Sequence, residues 1–494
     1  MTDSGASSVE SRRGFFRIVA ASIAALRAID VKASAQQARP QITRTPYESG
    51  VGDIAMAFAG DSMITRALTS FREPSFLAIR DLLQRADVRF ANSEMLFHNY
   101  EDWPTDFTRT YTRCDPRFIG DLQWLGINLV SCANNHGIDF GQGGVLTNIR
   151  NLNAARMVHA GSGSNYAEAL APAYLETPKG RVALVAATST GRYESRAGDQ
   201  RRDMKGRPGV NLIRWINEWF VDRDSFEALR RVGAQLGKAS FQYLAHDYGV
   251  AADKLDKAVY LADRNTLGQG IEDEIARFVA GDSFERHTRI HQGDQQRNLQ
   301  TVRDARRMAE WVIYSVHNHE YGGKNVDEPS EHIRTLAHAV IDAGADAFVG
   351  HGPHNLRGIE IYNGKPIFYS VGNFIFEPDT VLLDPEDDYI REGLGPENTP
   401  ADVYDVRISS GEHPTAGPQW YSAIPVALFK DKRLREIRLY PIDIGAGAPR
   451  SEAGRPMLAD EKIAADVLSR LQRLCEPFQT KIDIEGNVGV IRIA

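Results

Sequence analysis

Five short apolar runs in this chain each end abruptly in a knot of Asp, Asn, Glu or His, and that repetition restricts the fold more than any other feature. Ile54 to Ala59 runs into Gly60-Asp61, Val88 to Ala91 into Asn92-Ser93-Glu94, and Asn128 to Cys132 into Asn134-Asn135-His136. Trp311 to Val316 runs into His317-Asn318-His319-Glu320, and Ala347 to Gly350 into His351-Gly352-Pro353-His354. Apolar runs of this length read as buried strands, and the stretches of helical period between them predict an α/β fold, a layered sheet structure flanked by helices. In open α/β sheets ligands bind at the carboxyl ends of strands, so clusters far apart in sequence are expected to converge there. One such Asp is commonly a helix cap, and one His is commonly a hydrogen-bonded structural residue. Five clusters at the same place on five strands require a shared reason.

Further punctuation supports the layering. Val182 to Ala187 reads as a sixth strand. Asp115-Pro116 and Gly126 bracket one helix, and Glu328-Pro329 and Gly344 bracket another. Asn363-Gly364 predicts a tight hairpin between Glu360 to Tyr362 and Pro366 to Ser370, and Asp431-Lys432 predicts a second. Residues 50–195 and 308–445 are thus expected to form one discontinuous domain. Residues 196–307 interrupt it with a charged segment, mostly helical in period, carrying Trp215, Trp219, Phe220, Phe226, Phe241 and Tyr243. That insertion reads either as a helical subdomain with its own core or as a lid over a site. Residues 379–420, rich in Pro, Gly, Asp and Glu, read as a long loop. Residues 446–494 offer an amphipathic helix from about Ala459 to Cys475 and a strand from Val488 to Ile493.

Composition narrows the function. The 494 residues carry 58 Lys and Arg against 65 Asp and Glu, a net charge of −7 that provides no field for holding nucleic acid. Three scattered cysteines, Cys114, Cys132 and Cys475, exclude a disulfide framework or a Cys-rich zinc site, so a metal would be held by His, Asp, Glu and Asn. Gly141 to Gly144 lacks the Lys-Ser/Thr of a phosphate-binding loop, and Gly161 to Ser164 reads as a turn.

The amino terminus reads as an address. Ser-Arg-Arg-Gly-Phe-Phe-Arg over 11–17 precedes nine apolar residues, Ile18 to Leu26, and a small-residue stretch, Ala33 to Ala35. This is the layout of a cleaved twin-arginine export signal over residues 1–35, and the run is far short of the roughly 20 residues that span a bilayer. The mature form is expected to be periplasmic or otherwise extracytoplasmic, with a net charge of −9, exported by the twin-arginine machinery, and without a stable membrane span.

Ala59-Gly-Asp61, Asn92-Ser-Glu94, Ala133 to Gly141, Ser315 to Tyr321 and the long block Gly350 to Phe374 together resemble the CapA family of capsule and poly-γ-glutamate synthesis proteins, within the calcineurin-like metallophosphatase superfamily. The resemblance implies a layered metallophosphatase-like fold and a divalent metal centre of one or two ions, with Mn, Fe or Zn the plausible elements. Asp61 and His354 would complete one ion's protein shell, and Asn135, His317 and His351 the other's. Glu94 is the candidate bridge, since two ions about 3.5–4 Å apart need a shared carboxylate. His136, beside a ligand, stands in the position of a general acid. Asp139 either fixes the His136 tautomer or caps the helix that starts near Gly141. One departure matters: the superfamily's first block often reads Asp-x-His, and Asp61-Ser62-Met63 places a thioether there, a poor ligand for hard ions. His319 or Glu320 is the available substitute; His319 reads equally as ligand, substrate contact or core residue. Asn373 would orient a ligand, and Arg357 and Tyr321 would meet an anionic substrate.

Three functions follow from these expectations. One is a metal-dependent hydrolase of phosphoester or amide bonds in an envelope polymer, acting on an anionic polymer or a smaller peptide-like substrate. The second is a non-catalytic accessory protein for assembly or export of an anionic polymer. The third is a metal-dependent epimerase with His136 as base.

Overall fold

Alternation of side chains along the strands dictates the layering. The computed structural model describes residues 52–106, 110–235, 258–261, 276–323 and 325–493; the export signal expected over 1–35 lies outside them, as do Phe241 and Tyr243. In the strand Ile54–Met63, Met56 and Phe58 enter one hydrophobic cluster, while Ala57 and Ala59 enter a second. In Gly180–Thr188, Val182, Leu184 and Ala186 join that first cluster, and Ala183, Val185 and Ala187 a third. Strands apolar on both faces must be covered on both. Two sheets therefore pack face to face around the first cluster. Helices Pro74–Gln84 and Ile119–Leu125 cover the outside of one sheet, and Gln292–Met308 and Glu331–Ala343 the outside of the other.

The first sheet runs Asp483–Glu485, Val488–Arg492, Arg433–Asp443, Tyr421–Lys430, Ile54–Met63, Val88–Ser93, Leu129–Ser131, Val158–Ala160, with Asn373–Phe376 added along the end of Ile54–Met63. The second runs Ile359–Tyr362, Lys365–Phe368, Ala347–His351, Trp311–His317, Gly180–Thr188, Ala173–Thr177. Ile54–Met63, Val88–Ser93 and Leu129–Ser131 are parallel, as are Gly180–Thr188, Trp311–His317 and Ala347–His351, so each sheet gathers its carboxyl ends on one edge. Register then aligns the polar residues. Asp61 lies opposite both Asn92 and Asn373, and His317 lies opposite both His351 and Thr188.

All six expected strands form. Both hairpins turn where expected, with positive φ at Asn363, Gly364, Asp431 and Lys432, the geometry of the tight two-residue turn. The Asp115 carboxylate accepts from the Arg117 N–H, and Gly126 ends the following helix. The later helix begins two residues after its expected start, because a bridge to Tyr321 holds Pro329 extended and Ser330 becomes the flanking residue.

Two readings need correction. The 196–307 segment is not a helical subdomain alone: among its described residues it carries a four-stranded sheet in the order Ala258–Leu261, Ala276–Ala280, Trp215–Val221, Glu285–Ile290, beside the helix Arg223–Gln235. Trp-Ile-Asn-Glu-Trp-Phe-Val is aromatic and β-branched, which suits a pleated surface, and its charges pair across strands. The helix Gln292–Met308 belongs to the main domain, packing Val302 and Ala305 onto the second sheet. Residues 379–420 are not one long loop. They fold into helices Glu386–Arg391 and Pro400–Ser410, the second opened by Thr399 and Asp402 in a reciprocal capping box with Pro400 in the first turn. Arg407 fastens this segment through Glu392 at 2.9 Å and Asp388 at 3.4 Å.

A close approach at Gly60 fixes the edge of the first sheet. A Cβ there would lie 1.7 Å from the Gly372 carbonyl oxygen, and the next residue, Asp61, donates its N–H to that same oxygen at 3.0 Å. Gly60→Ala is expected to cost roughly 2–3 kcal/mol of unfolding free energy, the usual penalty of overpacking, measured by urea denaturation.

The half-buried Asp384 carboxyl is pushed up to about 7 by burial and by neighbouring Asp388, with Arg407 opposing. A carboxyl raised in the folded state penalises folding increasingly as pH climbs from its unfolded value near 3.9 towards the folded one. Asp384→Asn is therefore expected to match the parent near pH 4 and to exceed its stability by on the order of 1–2 kcal/mol at pH 8, after allowance for solvent screening. Melting curves at the two pH values check this.

Candidate metal centre

Carboxylates come to the site from one sheet and imidazoles from the other. Asp61, fully buried near the end of Ile54–Met63, and Glu94, directly after Val88–Ser93, belong to the first sheet. His317 and His351 end adjacent parallel strands of the second, and His319 and His354 lie on the loops that follow them. The donor atoms fall into two trios, Asp61–His317–His351 and Glu94–His319–His354, each with its atoms within 4.8 Å of one another. The trios interleave. Asp61 Oδ1 is 3.4 Å from His351 Nδ1, while its Oδ2 is 3.5 Å from His354 Nδ1. Glu94 Oε1 is 3.5 Å from His317 Nε2 and 4.0 Å from His354 Nε2, and the Nε2 atoms of His317 and His319 are 3.1 Å apart.

Proximity groups Asp61 with His317 and His351, where the family resemblance pairs Asp61 with His354 and sets His317 and His351 with Asn135; Asp61 lies within 3.5 Å of both His351 and His354, and His317 lies 3.2 Å from His351. His319 stands among the side chains that could hold an ion, while Met63 is buried in the outer cluster of the first sheet. Glu320 is not one of them. Its carboxylate accepts from Ser189 Oγ at 2.6 Å and Thr190 Oγ1 at 2.7 Å and faces His332. Arg357 does not meet substrate either, being fully buried and donating to Asn318 Oδ1 at 2.8 Å and to the Val326 carbonyl.

The polar shell holds these donors in place. Asn92 Nδ2 donates to Asp61 Oδ1 at 2.8 Å, and the Gly352 N–H donates to Oδ2 at 2.9 Å. Ser315 Oγ lies 2.8 Å from His351 Nε2, and Asn373 Oδ1 lies 2.8 Å from His354 Nδ1, so Asn373 orients the ring of a candidate ligand. The His319 N–H donates to Thr190 Oγ1 at 2.7 Å. His354 sits at φ 57°, a conformation that a non-glycine residue holds only when its surroundings enforce it. Sequence reasoning placed Asn92 in a polar knot and Ser315 in a family block without giving either a role, and it did not single out Thr190. A polar Ser inside the apolar run Trp-Val-Ile-Tyr-Ser-Val was a usable signal, whereas Thr190 reaches the site only through the loop after its strand.

Electrostatics mark the cluster as incomplete. Burial acts to raise the Asp61 carboxyl, but hydrogen bonds and charge from His351 and His354 outweigh it and hold the group well below the usual range. Burial, joined by the charge of Asp61, drives the Glu94 carboxyl well above its usual range. Burial and then His319 push His317 well down, and burial and then His354 push His319 down to about 3. Burial opposes protonation of His354 too, yet the hydrogen bond and charge of Asp61 prevail and raise it. Both oxygens of Glu94 are buried without a hydrogen-bond partner, and so is Asn135 Oδ1. Glu94 thus has imidazoles at ion-pair distance but no hydrogen bond, and a buried carboxyl left in that state calls for a water or a cation. Carboxylate, imidazole and amide oxygen form the donor set that borderline and hard divalent ions favour, so the residues present fit the metal.

Beside the trios, His136 Nδ1 lies 2.8 Å from Asp139 Oδ2, which also accepts the Thr112 N–H at 2.9 Å. Asp139 therefore holds His136. The helix Gly141–Ala154 is flanked by Phe140 and has no side-chain cap, which removes the capping alternative for Asp139.

Comparison with known proteins identifies the family. The family profile described as "Bacterial capsule synthesis protein PGA_cap" matches residues 51–378. An uncharacterized protein of Sinorhizobium fredii is 34% identical over 466 residues, spanning 92% of this chain and 96% of its own. The PGA biosynthesis protein CapA of Bacillus subtilis is 45% identical over 76 residues, 15% of this chain and 19% of its own. A probable polyglutamine synthesis accessory protein of Mycobacterium tuberculosis is 26% identical over 286 residues, 57% of this chain and 50% of its own.

Glu94→Gln separates a metal ligand from a structural carboxylate. Without metal, replacing a buried carboxyl that no hydrogen bond satisfies is expected to leave the melting temperature equal to or above the parent's. With Mn²⁺ or Zn²⁺ at a hundredfold excess over its dissociation constant the parent gains about 2.7 kcal/mol, and the variant is expected to lose most of that gain. Paired melting curves with chelator and with metal check both halves.

Proposed function

Because the chain belongs to the bacterial capsule synthesis family described as PGA_cap, whose members are metallophosphatase-like, we propose that it is an exported, divalent-metal-dependent hydrolase of amide or phosphoester bonds in an anionic, poly-γ-glutamate-type polymer. The observation that carries the reading is the buried, unpartnered Glu94 carboxylate facing imidazoles from a second sheet, with the His136–Asp139 pair alongside. The names of relatives supply the polymer class, and the twin-arginine layout of residues 11–35 supplies the export. No helix among the described residues is long and apolar enough to cross a membrane, in keeping with a mature form that lacks a stable span.

In this reading Asp61, Glu94, His317, His319, His351 and His354 hold one or two ions, with the Asn135 amide oxygen as a further donor. When bound, such ions polarise the scissile group and lower the pKa of water to near neutrality. The chain's own residues do the rest. The Asp139 carboxylate takes the hydrogen bond from His136 Nδ1, which fixes the ring and leaves Nε2 as the atom that hands a proton to the leaving group. Asn373 and Ser315 keep His354 and His351 in their rotamers, so the donors do not reorganise between turnovers.

Protein loaded with Mn²⁺, Fe²⁺ or Zn²⁺ is expected to shorten poly-γ-glutamate or cleave a generic phosphodiester. His317→Ala is expected to abolish turnover, and His136→Ala to lower kcat by about 10²–10⁴-fold. Folded, metal-loaded protein with no turnover on either substrate would reject the hydrolase reading. Complementation of a deletion strain by His136→Ala would then favour the accessory role named for the mycobacterial relative.

A further inference from the structure

The insertion's sheet is joined to the site by one face. Register places Trp215, Asn217 and Trp219 beside Ile290, Thr288 and Arg286, on the face opposite Glu218, His287 and Arg289. At its inner end Trp215 stacks on His332 at 4.6 Å and donates its indole N–H to the Ser189 carbonyl at 3.1 Å. Ser189 in turn donates its backbone N–H to the carbonyl of His317. Trp219 lies four residues further along the strand, roughly 13 Å at the usual strand rise. There the Arg286 guanidinium lies 5.6 Å from the Trp219 ring centre and 6.0 Å from that of Tyr321. Both rings are more than a third exposed. Tyr321 follows the donor His319 by two residues, so the two Cα atoms are at most about 7 Å apart.

Charge pairing singles out Arg286. On the strands Trp215–Val221 and Glu285–Ile290, Glu218 is paired with Arg277 and Arg289, and His287 sits between Glu285 and Glu331. Among the described residues no carboxylate lies within ion-pair distance of Arg286. Its Nε donates to Asn217 Oδ1 at 2.9 Å, which orients the guanidinium plane and leaves the two terminal nitrogens for an incoming group. A guanidinium fixed in this way, flanked by aromatic faces, is suited to grip a carboxylate with two hydrogen bonds while the rings cover the methylenes beside it.

We propose that Arg286, with Trp219 and Tyr321, forms a carboxylate-binding subsite that holds the anionic polymer on the insertion sheet and leads it towards the metal centre. The proposal rests on the polymer reading of the site but not on turnover there. The insertion is thus a binding platform, a role its charged sequence did not declare.

Binding of poly-γ-glutamate of defined length is measured by calorimetry on the full chain carrying His317→Ala, so that no cleavage intervenes, with polyphosphate of similar charge as competitor. Arg286→Gln in that background is expected to weaken binding at least tenfold, Arg286→Lys to weaken it less, and Trp219→Ala to weaken it severalfold, with melting temperatures unchanged. Parent-like affinity in both Arg286→Gln and Trp219→Ala overturns the proposal. So does failure of the polymer to bind the His317→Ala chain, or polyphosphate displacing it at equal concentration. If the otherwise unsubstituted enzyme shows no hydrolysis yet Arg286→Gln still loses binding, the hydrolase reading fails and the subsite stands.

Discussion

The structure turns on a desolvated carboxylate that no protein donor satisfies. Burying an ionised carboxyl costs several kcal/mol even after relaxation, and proteins offset that cost with hydrogen bonds or counter-charges. Asp61 follows that rule, with Asn92, the Gly352 N–H, His351 and His354 around it. Glu94 does not follow it. Burial opposes charging His317 and His319, while Asp61 favours the charged form of His354. In the proposed reading a divalent ion would satisfy Glu94, and the donor set is one that such ions favour.

Placing such a group demands rigid backbone on both sides, and the packing supplies it. The parallel strands bring His317 and His351 side by side because they occupy matched positions in the ladder. On the other sheet Asp61 is held by contact at Gly60, where no side chain fits, and by pairing with Asn92 and Asn373. The strained His354 backbone is tolerated because Asn373 and Asp61 both engage its ring.

Legibility from sequence followed the range of the interactions. Strands and hairpins were readable because they depend on local apolar runs and on turn residues such as Asn363-Gly364. The positions of Asp61, Glu94, His317, His351 and His354 at strand ends were readable for the same reason. The partition of donors was not, since it depends on how two sheets face each other, which no spacing encodes. His319 remained ambiguous because its role is defined by Glu94 and His354, both distant in sequence. The insertion misled because its charges mimic an exposed helix until cross-strand partners are known: Glu218 is buried only because Arg277 and Arg289 pair with it. The capping box Thr399-Pro400-Ala401-Asp402 went unread, because the Pro and Gly around it hid the helix it opens.

The division of labour between sheets has a consequence for stability as well as chemistry. Each trio takes its carboxylate from the first sheet and its imidazoles from the second, so a bound ion would tie the two sheets together at their open edge. Elsewhere the sheets adhere through the apolar cluster between them, which is non-directional and leaves small sliding motions inexpensive. A metal demands fixed angles and distances, and it resists such sliding where the donors are. The same tie would set the position of the insertion sheet, because Trp215 rests on the Ser189 carbonyl and Ser189 is hydrogen-bonded to His317. A bound metal would therefore couple sheet alignment to placement of the Arg286 face through His317.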